Sequence, residues 1–544
     1  MESQFKEKFS LTMPEVRTRQ RKKKRDSAPV FKPYKQDQIM LLPENIEELI
    51  PVKHLVRIVN KTLEEINIEA LLRTYKGGGS SSYNPKMLLK VLIYSYLSGV
   101  YTSRQIAKRM REDINYMWLS GKSHPDFRTI NNFRSSRLKA VIEEVFSTMV
   151  KFLIRNKYID MKQYFVDGTK LGANSNKHKA VWKKNAVRYK KQIEDKIKQR
   201  LREIEKINEE EDHLYGDKDL AELGDESPIT SEGIKEEVER LNKIIKDKLK
   251  DKVATKTEKN AIKTVKEVDK KLLPKLEKYE EQESILSGRN SYSKTDEDAT
   301  MFRMKDGQLL PGYNVLIGTQ KQFVVNYNFH QKKASESDAF TAHMKRCKKI
   351  AGIYPEKVMG DSAYGSQENY QFLEEEKIGN YLKYNTYHIE KTKKYKTNPY
   401  RKENFPYNKE KDEYRCPSAR VLKHKENKKE KTASGFETEI KVYQCIDCTN
   451  CSLAVNCKRG SGNRSIQVND RLENYRSQAR KNLESKEGIQ LRKRRSVDVE
   501  PVFGDIKFNQ RYQRFMLRGL PKVEVEFGLL AMAHNMKKLI HYVN

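Results

Sequence analysis

From residue 177 to residue 289 the chain is dominated by Lys and Glu, with apolar residues at helical intervals: Leu201, Ile204 and Ile207, then Leu241, Ile244, Ile245 and Leu249. On either side the pattern is that of β-strands. Upstream stands the β-prone run Gln163-Tyr164-Phe165-Val166-Asp167-Gly168; downstream stand Tyr313 to Gly318 and Phe323 to Tyr327, after an Asp306-Gly307 hairpin turn. Helical periodicity set between stretches of strand periodicity restricts the chain to an α/β core interrupted by a charged helical hairpin. The turn of that hairpin is expected in the stretch holding Gly216, Gly224 and Pro228, and Pro274 is expected to end or kink its return arm.

The 544 residues carry 109 Lys+Arg against 75 Asp+Glu, a formal net charge of +34. Such an excess fits a nucleic-acid partner, because Lys and Arg neutralise phosphates and release counterions. A composition rich in Lys, Asn, Ile and Tyr also follows from an AT-biased genome, so charge alone leaves DNA and a merely solvated surface both open. No apolar stretch reaches the ~20 residues of a spanning helix, and the N-terminus lacks a secretory apolar segment. The expected location is the cytoplasm, on the nucleoid when bound to DNA, with no membrane partner.

Residues 1–40, with the run Arg21 to Arg25, read as a mobile basic arm. Residues 41–160 read as a helical domain. Asn84-Pro85 opens a helix that Gly99 closes, Thr102 or Ser103 caps the next, and His124-Pro125-Asp126 opens a third, together resembling a helix-turn-helix unit. Arg104, Lys108, Arg109, Arg128 and Arg134 line the last two helices and are candidate DNA contacts, with a solvated basic face as the alternative. Leu138, Val141, Ile142, Val145, Phe146, Met149 and Leu153 form a packing stripe.

Asp167 and Asp361 (in Val358-Met359-Gly360-Asp361-Ser362) each close an apolar strand, where α/β folds place ligand and metal sites, although an Asp before Gly or Ser is also a common turn former. Glu500, near the start of a helix expected over Val497 to Phe508, adds a third carboxylate, and Lys507 lies further along, within reach of a bound phosphate. A second helix is expected from Val523 to Ile540. Cysteines cluster as Cys416 and Cys445-x2-Cys448-x2-Cys451-x5-Cys457. Such spacing favours a structural Zn²⁺ held by four of the five, with an iron–sulfur cluster or free thiols as alternatives. Arg511, Arg514 and Arg518 alternate with Tyr512 and Phe515, a pattern suited either to phosphate contact with base stacking or to core packing. Trp182 poses the same choice.

The segments YFVDGTKLGANSNK, VMGDSAYGS and RSVDVEPVFGDIK, followed by RYQRFMLRGLPKVEVEFGLLAMAHNMKKL, resemble the DDE transposases of bacterial insertion sequences. The upstream TSRQIAKRMREDINYMWLSG and HPDFRTINNFR resemble their N-terminal DNA-binding region. The resemblance implies an RNase H-like catalytic core, read over 161–176, 290–400 and 465–544; the Lys/Glu periodicity makes 177–289 a helical insertion in it, and the cysteine spacing makes 401–464 a zinc-binding one. The resemblance also implies that Asp167, Asp361 and Glu500 hold Mg²⁺ (or Mn²⁺) for cutting and joining double-stranded DNA, the element ends and the target, by a homodimer. Lys507 and Arg495 stand where relatives place phosphate contacts, but no Tyr occupies the position expected upstream of the glutamate. A DNA-binding regulator without catalysis, and a nuclease of the same fold, are the alternatives.

Overall fold

The computed structural model describes residues 45–75, 82–215, 230–248, 255–331, 337–432, 434–458 and 460–543; the basic arm and the expected turn of the insertion lie outside them. The N-terminal helices form where their caps place them. Asn84 accepts from the main-chain N–H groups of Lys86 and Met87 ahead of helix Pro85–Leu97. Thr102 accepts from Gln105 ahead of Ser103–Glu112, and Asp126 from Thr129 ahead of Phe127–Asn132. Helix Leu138–Arg155 buries the whole expected stripe.

The strands that follow are β1 (Tyr164–Gly172), a short β2 (Ala180–Trp182) paired antiparallel with β3 (Ser291–Ser293), then β4 (Thr300–Arg303), β5 (Leu309–Gln320) and β6 (Phe323–Phe329). After helix Ser337–Ala351 come β7 (Lys357–Gly360), helix Gln367–Glu375 and β8 (Gly379–Leu382). In the main sheet β5 lies antiparallel to β1, from Phe165↔Thr319 to Gly172↔Gly312. The other edge of β5 pairs with β4 and then β6, both antiparallel. On its far side β1 is parallel to β7, and β7 to β8. The order is therefore β6-β5-β1-β7-β8, with β4 beside the first part of β5. The β4–β5 turn is the expected one, with Gly307 at φ +83°.

Helix Leu520–Val543 is buried on nearly every side from Val523 to Met536, and its buried polar groups Glu526, His534 and Asn535 are each hydrogen-bonded. One continuous apolar core extends from Ile50 in the N-terminal helices through the sheet to Leu539.

The insertion departs from a simple two-armed hairpin. Helices Lys183–Tyr215, Ser231–Lys248, Lys256–Glu267 and Leu273–Leu286 share a core of their own, including Ile197, Leu201, Val238, Leu241, Val265 and Leu276. The helical run continues past Pro274, with a wide π turn over Val268–Leu272 just ahead of it, which accommodates a residue lacking an N–H. The cysteine-rich segment builds a separate antiparallel sheet from β9 (Tyr407–Asn408), β10 (Glu413–Arg415), β11 (Val421–Lys431), β12 (Glu437–Cys445) and β13 (Ser465–Val468).

Candidate catalytic carboxylate site

The parallel pairing of β1 and β7 aligns Tyr164 with Val358 and Phe165 with Met359, so Asp167 and Asp361, each two residues further on, lie at the same level of the sheet. Asp167 is not at a strand exit as expected. β5 is long enough to pair with β1 as far as Gly172, which leaves Asp167 in mid-strand opposite Ile317. Asp361 does end its strand: its carboxylate caps a single 3₁₀ turn, accepting from the Ser362 N–H at 2.6 Å. That turn is held tightly, because a Cβ on Gly365 would meet the Lys383 carbonyl oxygen at 2.2 Å.

Glu500 comes from a helical segment far along the chain. The helix expected to begin at Val497 begins instead at Lys486 and runs to Asp498; a break at Val499 then starts a short helix, Glu500–Gly504. Val499, Val502 and Ile506 are buried, while the Glu500 side chain is 58% exposed. Buried Asp498 anchors the break by accepting from Thr319 Oγ1 at 2.8 Å and from the Gln322 N–H at 3.0 Å. Burial pushes its carboxyl above the usual range.

Arg495 joins the carboxylates. It is 13% exposed and bonds Asp167 Oδ1 through Nη2 at 3.1 Å, with Nη1 3.9 Å from Glu500 Oε1. Asp167 Oδ1 also accepts from the Gly168 N–H at 2.9 Å. Lys383, just past β8, was not found from the sequence. Burial lowers its ammonium, as do nearby Arg495 and Arg492, while Asp361 and Glu500 pull the other way. Its local sequence is unremarkable; only the β7–β8 pairing brings it to the site.

Three carboxylates are hard oxygen donors of the kind Mg²⁺ prefers, and with Asp167 and Asp361 level on neighbouring strands the donor set fits a divalent cation. Among the described residues no group of three or more His, Cys, Asp or Glu side chains is already arranged to hold a metal. In the acidic site Arg495 lies between Asp167 and Glu500 as the counter-charge.

The candidate DNA contacts divide. Arg104, Lys108, Arg109 and Arg128 are exposed, with Arg104 and Arg128 stacked at 4.9 and 5.7 Å from the Phe127 ring. Arg134 is not a surface residue. It is 3% exposed, lies 3.6 Å from fully buried Glu526 and donates to the Tyr96 hydroxyl and the Tyr101 carbonyl, so its charge is consumed inside the core. Arg511, Arg514 and Arg518 are exposed, and the last two bond Asn174 at 2.7 Å each. Tyr512 and Phe515 between them are buried: Tyr512 packs edge-on to Tyr101 and Phe515 to Tyr313, so these aromatics are core residues. Trp182 is half-buried beside Lys183, Val187 and Arg188. Lys507 is half-buried, with Nζ bonded to Thr169 Oγ1 at 2.6 Å and to the Lys170 carbonyl at 2.9 Å.

The cysteines draw together at one end of the small sheet. Cys448 accepts the Arg464 N–H at 3.3 Å, Cys451 lies 3.2 Å from the Ser418 hydroxyl, and Cys416 and Cys448 pack beside buried Cys445. Burial and neighbouring Cys448 push the Cys445 thiol up to about 11, burial likewise raises Cys457, and the Ser418 hydrogen bond lowers Cys451.

Residues 415–540 match the family model of a transposase DDE domain, and residues 44–136 match a second model described as a transposase domain. The two matches support a DDE transposase of an insertion sequence. The first spans Glu500, the cysteines and the last helix; Asp167 and Asp361 lie outside both. No curated protein and no solved structure matches the chain. The matched domains imply a DNA-processing enzyme with DNA as its partner. Among the described residues no helix is long and apolar enough to cross a membrane.

Proposed function

We propose that this chain is a transposase that binds the ends of its own insertion sequence, cuts a DNA strand there and joins the freed end to target DNA, working as a homodimer in the cytoplasm on the nucleoid. The observation that carries the reading is the placement of the carboxylates: Asp167 and Asp361 level on parallel neighbours, and Glu500 linked to Asp167 through Arg495. The strand order β6-β5-β1-β7-β8, with β5 antiparallel to β1, supports an RNase H-like core over 161–176, 290–400 and 465–544.

Asp167, Asp361 and Glu500 would hold Mg²⁺ or Mn²⁺, which when bound supplies activation of the attacking oxygen and charge stabilisation at the leaving one. Arg495 keeps the two outer carboxylates within one guanidinium of each other and is then placed to meet a phosphate oxygen. Lys507 and the exposed Arg511, Arg514 and Arg518 offer cations to the DNA backbone. Arg104, Lys108, Arg109 and Arg128 form the N-terminal DNA face. Four of Cys416, Cys445, Cys448, Cys451 and Cys457 would hold a structural Zn²⁺.

A labelled duplex taken from the gene's own flanks tests this reading. Mg²⁺-dependent cutting at a defined end, followed by joining, both abolished in Asp361→Asn with DNA binding retained, is the expected result. Cutting without joining would indicate a nuclease, and binding without cutting by the parental protein a regulator.

A further inference from the structure

Next to the carboxylates lies a cavity of about 450 Å³ that the metal site does not use. It begins at Gly168, one residue past Asp167, and runs between β1, the β4–β5 turn and the segment after Glu500. Its volume falls in the range of small-ligand pockets, roughly 300–1,000 Å³. Lys170, Arg303, Lys305 and Lys507 line it, with Phe508 at its mouth.

Two features call for a ligand. Phe508 is 72% exposed although its neighbour Ile506 is 1% exposed, so a large apolar ring is held out at a charged surface. Of the four cations, Lys507 and Lys170 have neutral partners. Lys507 is bonded to Thr169 and a carbonyl, and Lys170 Nζ donates to the Arg303 carbonyl at 3.3 Å and lies 5.5 Å from the Phe302 ring. The nearby carboxylate, Asp306, accepts the Gln308 N–H at 3.1 Å. Burial first, and then the repulsion of Lys305, pull the Lys507 ammonium down to about 8.

We propose that this cavity is a nucleotide subsite: it receives one unpaired nucleotide of the DNA strand leading away from the carboxylates, its base stacked on Phe508 and its phosphate between Lys305 and Lys507. An aromatic face accepts any base, and a cationic seat any phosphate, so the subsite holds the strand in register without reading its sequence. The proposal rests on the DNA-cutting reading above.

The test uses the same flanking duplex, with 5-iodouracil replacing one thymine at a time around the cleaved bond, bound with Mg²⁺ to full-length Asp361→Asn protein and irradiated. A crosslink from one position into the peptide bearing Phe508 is expected, retained with Phe508→Tyr and lost with Phe508→Ala. In otherwise parental protein, Phe508→Ala should cut roughly fivefold to a hundredfold more slowly, the range for one lost base–aromatic stack. The ring is largely exposed, so this variant folds. Crosslinks mapping only elsewhere, or parental cutting by Phe508→Ala, would overturn the subsite. Cleavage of the unsubstituted duplex separates the two readings: cutting without the Phe508 crosslink removes the subsite alone, whereas a duplex neither bound nor cut removes both.

Discussion

Asp167 and Asp361 stand out as candidates in the sequence because a short apolar run followed by a carboxylate is a local signal, although Asp167 lies in mid-strand, and Glu500 stands out only as a third carboxylate near a helix start. Arg134 and Lys383 could not be placed correctly, because what decides their roles is burial and pairing with residues hundreds of positions away. Arg134 has the same local context as the exposed arginines beside it, yet Glu526 captures it. The sequence offers Lys507 as a candidate phosphate contact but gives no sign of its perturbed titration. Because its ammonium titrates near 8, DNA affinity should weaken between about pH 7 and 9 as the proton is lost. Lys507→Arg, which stays charged, should flatten that dependence. Binding curves at constant salt across this range measure it; equal slopes for the two proteins would remove Lys507 from the DNA contact. Asp505 makes the opposite case. Burial alone would raise its carboxyl, but hydrogen bonds with His534 and Lys537 outweigh burial and hold it well below the usual range. A carboxyl depressed in the folded state contributes stability above its unfolded value, about 3.9, which is lost as pH falls below that value. Asp505→Asn should therefore lower stability at pH 7 and make stability less dependent on pH below about 4, read from urea midpoints over pH 3–7.

At the scale of elements, caps and stripes were legible and breaks were not. Asn84, Thr102 and Asp126 cap their helices as their residue types require, and the apolar stripe of Leu138–Arg155 is wholly buried. The break at Val499 lies two residues before Pro501, whose missing N–H favours it, and it is held by Asp498 drawn into the β5–β6 turn, a tertiary contribution that the sequence does not announce. The split of the insertion into several helices was equally hidden, since Lys/Glu periodicity announces a helix without marking where neighbouring helices part. The turn after β7 depends on Gly365, whose missing side chain lets the Lys383–Tyr384 main chain pass within contact. Gly365→Ala should push that main chain away, misplacing both Asp361 and Lys383. The expected result is a destabilisation of about 1–3 kcal/mol with a larger loss of cleavage than of DNA binding. Cleavage and binding that fall in equal proportion would show that the damage is global rather than confined to the turn.

At the scale of the whole molecule, the same hydrophobic logic divides the chain in a way that charge patterning does not. The N-terminal helices share their core with the sheet and with helix Leu520–Val543, and the link is polar as well as apolar. Tyr101 donates to the Gln510 carbonyl at 2.5 Å, and Arg134 meets Glu526, whose carboxylate also accepts the main-chain N–H groups of Met516 and Leu517. DNA bound as proposed on the N-terminal face would thereby be held in fixed relation to the segment carrying Arg511, Arg514 and Arg518. The Lys/Glu insertion has the reverse character. Its core is its own, and it joins the rest through β2 and β3, where Trp182 pairs with Ser291 and the Lys183 N–H donates to the Asn290 carbonyl at 2.9 Å. Because these two ends are already hydrogen-bonded, replacing residues 184–289 with a short Gly-containing turn closes the gap without moving either strand. The shortened protein should fold and keep a cooperative thermal transition close to that of the parent. Removing residues 45–137 should instead abolish the transition, because it strips the shared core. A shortened protein that failed to fold while the N-terminal deletion stayed folded would reverse this assignment of which part the fold depends on.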